Sequence, residues 1–387
     1  MKWEVKRLGE VCEVGAGNSA PQDKDLFLKG TYPFFRTSDV GRVKKGFIDS
    51  SIDRLNDEGI KKLKLFSKGT ILFPKSGAST FLNHRVMMNV DGYVSSHLAT
   101  IKSKAEYLND KFLLYYLITI DAKHLMQDIA YPSLKISDIK QIPIPLPPLS
   151  EQKKIVEVLD QAFAGIEQSR QNTKQNLKNA KEIFESYLQG VFENKGDDWE
   201  VKKLGEIGSP KMCKRIFKEQ TKTEGDIPFY KIGTFGKEPD AFISKEIYDE
   251  FRLKYSFPKE GDVLISASGT IGRRVKYNGE PAYFQDSNIV WIDNNGEQVL
   301  NDFLFEFYGA CNWGSTKGAT ISRLYNDNLK NIKIAFPKSL KQQQTIVHQL
   351  DALRAETQKL EAIYTQKLND LDELQKSLLQ KAFAGEL

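Results

Sequence analysis

The chain is written twice, and no other feature limits its folding as strongly. Trp3-Glu4-Val5-Lys6-Arg7-Leu8-Gly9-Glu10-Val11 returns as Trp199-Glu200-Val201-Lys202-Lys203-Leu204-Gly205-Glu206-Ile207. Leu188-Gln189-Gly190-Val191-Phe192 returns as Leu379-Gln380-Lys381-Ala382-Phe383. The unit is about half of the 387 residues, far above the roughly 20–50-residue period of a solenoid. It therefore describes two whole domains, each with its own core. Between the ends, Tyr32-Pro33-Phe34-Phe35-Arg36 matches Ile227-Pro228-Phe229-Tyr230-Lys231, Ser76-Gly77 matches Ser268-Gly269, and Gln152-Lys153-Lys154-Ile155-Val156 falls on Gln343-Gln344-Thr345-Ile346-Val347. The matched residues are mostly apolar, Gly and Pro, which are frame residues; between them the halves diverge.

Each half reads as a mixed globular part followed by a long helix. Apolar runs bounded by Gly, Asn and Asp predict strands at 70–73, 86–88, 98–101, 263–265 and 289–292. Helices are predicted near 110–120 and 302–308. Pro143-Ile144-Pro145-Leu146-Pro147-Pro148 is a stiff extended strap. Ser150 is the expected N-cap of the helix that follows, and Ser339 with Gln342 has capping-box spacing. Ile155, Leu159, Ile166, Thr173, Leu177, Ala180, Phe184 and Tyr187 repeat at near-heptad spacing. Ile346, Leu350, Leu353, Leu360, Leu368, Leu371, Leu374 and Leu378 form a cleaner seam. The simplest partner for each helix is the other, antiparallel about a pseudo-two-fold axis. The expected fold is α+β, with similar globular domains over 1–148 and 197–338 and long coiled-coil helices over 149–196 and 339–387.

Composition excludes several classes. No apolar run approaches the roughly 18 residues of a membrane helix, and Met1-Lys2-Trp3-Glu4 does not begin a signal peptide. Cys12, Cys213 and Cys311 are odd in number and far apart, which suits free thiols in a reducing cytoplasm. The net charge of +5 is unevenly spread. Residues 1–149 carry 22 basic and 16 acidic side chains, and residues 199–339 carry 21 and 19. The two helical segments are slightly acidic. A polyanion would be held by the globular parts.

The chain shows no phosphate loop, no paired-histidine metal spacing among His84, His97, His124 and His348, and no nucleophile elbow. Glu4-Val5-Lys6 and Glu200-Val201-Lys202 have a nuclease-like Glu-x-Lys form without a second acid nearby. They read instead as the first strand of each domain, with Trp and Val inward. Candidate DNA contacts sit on polar and basic loops: Arg36, Thr37, Ser38, Lys75, Ser76, His97, Tyr131, Ser133 and Lys135 in the first half. In the second half they are Lys214, Arg215, Lys231, Ser268, Arg273, Arg274, Asn288, Lys317, Ser322 and Arg323. Arg, Lys and Asn suit base edges, and Ser and Thr suit phosphates. Matched positions with changed identities suggest two scaffolds reading two different short sequences.

The chain resembles the specificity subunits of type I restriction–modification systems. The resemblance is carried by the duplicated Trp-Glu-Val-Lys-x-Leu-Gly-Glu, by the strap running into Leu149-Ser150-Glu151-Gln152-Lys153-Lys154-Ile155, and by the closing Ser377-Leu378-Leu379-Gln380-Lys381-Ala382-Phe383-Ala384-Gly385-Glu386-Leu387. It implies target-recognition domains that each read one half of a bipartite double-stranded DNA site, and helices that set the spacing. It further implies two methyltransferase subunits and an endonuclease–translocase as partners. S-adenosylmethionine, ATP and magnesium would belong to those partners, this chain itself being non-catalytic and holding no cofactor. Lys338-Ser339-Leu340-Lys341 departs from the fuller strap of the first half. A coiled-coil adaptor binding protein rather than DNA is the alternative.

Overall fold

The computed structural model of the chain describes residues 3–126, 132–313, 323–324 and 326–387. It divides into two compact units, each drawn in part from both long helices: Met1–Thr173 with Lys367–Leu387, and Lys174–Gln366.

In unit 1 the apolar runs form a five-stranded sheet, ordered Cys12–Ala16, Leu98–Ser103, Ile71–Pro74, Arg85–Met88, Lys45–Ile48. Ile71–Pro74 is buried along its whole length, as expected of a continuous apolar run in a central strand. The helix Asp110–Thr119 covers one face. It starts where Asn109 accepts hydrogen bonds from the Lys111 and Phe112 N–H groups. Its Phe112, Leu113 and Leu117 join Ile71, Phe73, Ala99 and Ile101 in the main core. A smaller sheet places Tyr32–Phe35 between Asp53–Leu55 and Tyr93–Val94.

Unit 2 repeats the plan. Its larger sheet runs Gly208–Lys211, Ile289–Asn294, Val263–Ser266, Arg274–Lys276, covered by the helix Asn301–Ala310. Its smaller sheet centres on Ile227–Tyr230. Register repeats too: Phe34 lies opposite Tyr93 and Phe229 opposite Tyr283, both in parallel pairs. Among the described residues, the fifth strand of unit 1 has no counterpart in the larger sheet of unit 2.

The duplicated first strands pair with the segments that lead into the long helices, Glu4–Arg7 with Pro143–Leu146 and Trp199–Lys203 with Lys333–Pro337. Trp3 and Trp199 are partly buried against the cores. The expected inward Val is not found: Val5 is 61% and Val201 50% exposed. A two-stranded ribbon has no second layer over its outer face, so Val5 and Val201 lie open while Trp3 and Trp199 pack on the cores.

The long helices are Leu149–Glu193 and Leu340–Ala384. Ser150 is not the N-cap: the helix begins one residue earlier, and the Pro148 carbonyl accepts from Glu151 and Gln152. The strap's Pro148 holds the cap position instead, and a proline there has no side-chain acceptor to offer. In unit 1 the helices run in opposite senses, because Ile155 and Leu159 share a cluster with Leu379 and Ala382, whereas Arg170, further on, pairs with Asp372 at 2.7 Å. Ile155, Leu159, Ile166, Leu350 and Leu371 are buried. Leu177, Phe184, Ile346, Leu353, Leu360, Leu368 and Leu378 are half-buried. Tyr187 and Leu374, read as seam residues, are 43% and 47% exposed. Leu188 and Leu379 are buried beside them. An α-helix turns about 20° per heptad away from a strict seven-residue repeat, so a seam counted in sevens leaves the packed face.

Gly165 lies inside the first long helix, exposed, and a Cβ there would meet nothing within 4 Å. Gly165→Ala is expected to stabilise the chain by about 0.5–1 kcal/mol, read as a higher unfolding midpoint in urea; an unchanged or lower midpoint would contradict this.

Candidate nucleic-acid interface

The two units build the same backbone junction from three segments. In unit 1 the turn after Ile71–Pro74 meets both the turn before Leu98–Ser103 and residues 132–134. The Lys75 N–H donates to the His97 carbonyl (3.1 Å), the Leu134 N–H donates to the Lys75 carbonyl (2.8 Å), and Ser76 bridges to Ser133. In unit 2 the Ala267 N–H donates to the Asn288 carbonyl (2.7 Å), the Leu324 N–H donates to the Ala267 carbonyl (2.7 Å), and Ser268 bridges to Arg323. Gly77 and Gly269 follow at φ +73° and +64°, with open space where a Cβ would be. Glycine is needed there for the left-handed backbone, not for a close contact.

Side chains complete the parallel and then depart from it. Ser76 Oγ lies 2.7 Å from His97 Nδ1, and Ser268 Oγ lies 2.8 Å from Asn288 Oδ1. His97 and Ser133 are exposed. Arg323 Nη2 donates to the Ser287 carbonyl (3.3 Å), Ser287 holding φ +59°. Thus one frame presents Lys75, Ser76, His97 and Ser133 in unit 1, with Lys135 exposed close by in sequence. In unit 2 the same frame presents Ser268, Asn288 and Arg323. Imidazole, amide and guanidinium offer different hydrogen-bond patterns to a base edge.

Other predicted contacts are held elsewhere. Arg36 precedes the helix Thr37–Val43, is ion-paired to Asp53, and lies over the Phe34 ring at 5.1 Å; Thr37 and Ser38 form that helix's first turn. Lys214 lies over Tyr255 at 5.0 Å, and Arg215 is 61% exposed and paired with Asp286 at 2.9 Å. Lys231 pairs with Asp240 at 2.8 Å. Arg273 Nη1 donates to the Phe235 carbonyl (3.0 Å). Tyr131, Lys317 and Ser322 lie outside the described residues.

Arg274 does not join the loop cluster. Strand alternation turns it inward, opposite to Arg273, over the Phe305 ring at 4.6 Å and 4.0 Å from Glu306. Burial lowers its pKa below the usual range, with Glu306 opposing. Glu306 is 2% exposed and is also ion-paired to Arg354 of the second long helix. In unit 1 the matching duty falls to different chemistry: Asp160 of the first long helix accepts from Tyr115 and, at 2.6 Å, from Lys111. Neither anchor is evident in the sequence, because charged residues on a helix usually face water. Their spacing to the apolar face was the available signal.

Among the described residues no group of three or more His, Cys, Asp and Glu is placed to hold a metal ion. The Cys12, Cys213 and Cys311 thiols are pushed up to about 12 by burial, which leaves them weak nucleophiles. No helix among the described residues is long and apolar enough to cross a membrane.

The duplication of this junction is matched by family comparison. The type I restriction modification DNA specificity domain matches twice, over residues 1–179 and 196–370. The chain belongs to that family. The putative type I restriction enzyme specificity subunit S.HindORF215P of Haemophilus influenzae is 39% identical over 352 residues, covering 90% of this chain and 86% of its own. The MjaIX specificity subunit of Methanocaldococcus jannaschii is 25% identical, covering 87% of this chain and 83% of its own. Among solved structures, a chain from work on complex assembly and conformational transition of the type I restriction–modification system aligns with TM-score 0.80 at 21% identity, covering 100% of this chain and 98% of that one. The HsdS subunit from Thermoanaerobacter tengcongensis aligns with TM-score 0.63 at 21% identity, covering 100% and 97%. These likenesses extend the family's fold over the whole specificity-family chain.

Proposed function

We propose that this specificity-family chain supplies the DNA sequence preference of a type I restriction–modification complex, each unit reading one half of a bipartite site. The observation that carries this is the repeated three-segment junction, with matching backbone hydrogen bonds and different side chains. Base edges would be met by His97 and Ser133 in unit 1 and by Asn288 and Arg323 in unit 2, with phosphates held by the surrounding Ser and Lys. The long helices would set the distance between half-sites, as dimer geometry sets operator spacing. They would also dock methyltransferase subunits. Exposed Ile183 and Tyr187 line a groove of about 880 Å³ with Gln349 and Leu353 in unit 2, and they favour such a partner. S-adenosylmethionine, ATP and magnesium would be bound by the partner subunits inside the cell, and this chain would carry recognition without chemistry.

Replacing residues 199–339 by those of a relative is expected to change one half of the methylated motif and leave the other. Methylome sequencing decides it: alteration of both halves would end the modular reading.

A further inference from the structure

Gln152 and Gln343 stand in the first turns of the long helices and are each 0% exposed. Gln152 Nε2 donates to the carbonyls of Tyr107 (2.8 Å) and Pro147 (2.9 Å), and its Oε1 accepts from the Asn109 N–H (2.9 Å). Gln343 repeats the set with Gln298 (2.8 Å), Pro337 (2.8 Å) and the Leu300 N–H (2.9 Å). In each unit a single amide ties the last residues before the long helix, the loop before the covering helix, and the long helix itself.

Other described helix-to-domain contacts are apolar packing, charged anchors and, in unit 2, the Gln189 amide donating to the Ala310 carbonyl (3.2 Å). Ile155 and Leu159 in unit 1, like Val347 in unit 2, pack apolar surface, which is attractive but non-directional. The charged anchors differ between units, as described above. Among the described polar contacts between a long helix and its domain, the amide is the one that is the same in both, and its hydrogen bonds prefer near-linear geometry and weaken steeply when bent. It is therefore the contact that fixes the angle at which the helix leaves its domain. A 45-residue helix is roughly 67 Å long. A rotation of about 5° at its base then moves its far end by roughly 6 Å, more than the 3.4 Å rise of one base pair.

We propose that Gln152 and Gln343 are positioning residues that restrict the complex to one gap length between half-sites. The proposal rests on the bipartite-site reading above. The test uses the full chain, co-produced with its methyltransferase subunits in a host lacking the system, with methylated motifs read from the genome. Gln152→Met and Gln343→Met are expected to keep both half-site sequences. They should also modify gaps one base pair longer or shorter, at about a tenth of the native frequency or more, the level reached when discrimination between gaps falls to about 1.4 kcal/mol. Gln152→Asn and Gln343→Asn, which keep the amide one methylene short, carry the same expectation where a Met variant does not co-purify with the methyltransferase. A single gap length in the soluble variants overturns the proposal, and so does a change in either half-site sequence. A native chain that yields no bipartite motif overturns the underlying reading instead, so the two failures are distinguishable.

Discussion

Glu306→Leu is expected to destabilise unit 2 by about 3–5 kcal/mol, the cost of removing one partner from a buried ion pair. Glu306 is 2% exposed and lies against Arg354 and Arg274, whose side chains are 24% and 22% exposed. Removing the carboxylate leaves two guanidinium groups facing each other across an apolar site beside Phe305 and Phe184. Each guanidinium can reach some water, which favours the lower end of the range. Arg354 sits on the second long helix, so the loss should also loosen that helix from its domain. Hydrogen exchange across Asn301–Ala310, with urea unfolding of the whole chain, measures both effects. A loss below about 1 kcal/mol would place this triad among ordinary surface pairs.

Asn288→Ala combined with Arg323→Ala is expected to weaken sequence-selective DNA binding by about 2–6 kcal/mol, two base contacts at roughly 1–3 kcal/mol each. That is roughly a 30-fold to 10⁴-fold loss. Folding should survive, because the junction is closed by main-chain bonds between Ala267, Asn288 and Leu324 that alanine leaves intact. Competition binding at fixed salt, with matched and scrambled half-sites, separates this loss from general phosphate attraction. Base preference should vanish only in the half read by unit 2. Undiminished selectivity there would remove these residues from the interface.

The frame was legible because it is written in residue types with local consequences. The apolar runs at 70–73, 98–101 and 289–292 fall on the strands Ile71–Pro74, Leu98–Ser103 and Ile289–Asn294, and the long periodic segments became helices. Matching the halves of the sequence also places Ser76 on Ser268 and Gln152 on Gln343. What stayed hidden depends on the third dimension. The exposure of Val5 follows from the lack of a covering layer, which no alternation pattern records. The inward turn of Arg274 follows from its register against Ile265. The burial of Glu306 depends on a helix 48 positions away in sequence. Nothing in the sequence marks Gln152 as an anchor, because its three partners come together only on folding.

The chain order of unit 1 bears on how this protein is made. Its core includes Leu379 and Ala382, with Leu378 and Phe383 packed against it, and those residues leave the ribosome after all of Lys174–Gln366. At roughly 5–20 residues per second, about 200 residues separate the halves of that core by roughly 10–40 s. During synthesis the Phe112 and Tyr116 rings, which Phe383 meets edge-on at 5.1 and 5.2 Å, wait without their partner. Unit 2 has all its sequence in hand first. Unit 1 is thus the last of the two to close, and its residues up to Thr173 wait longest, open to chaperones and proteases.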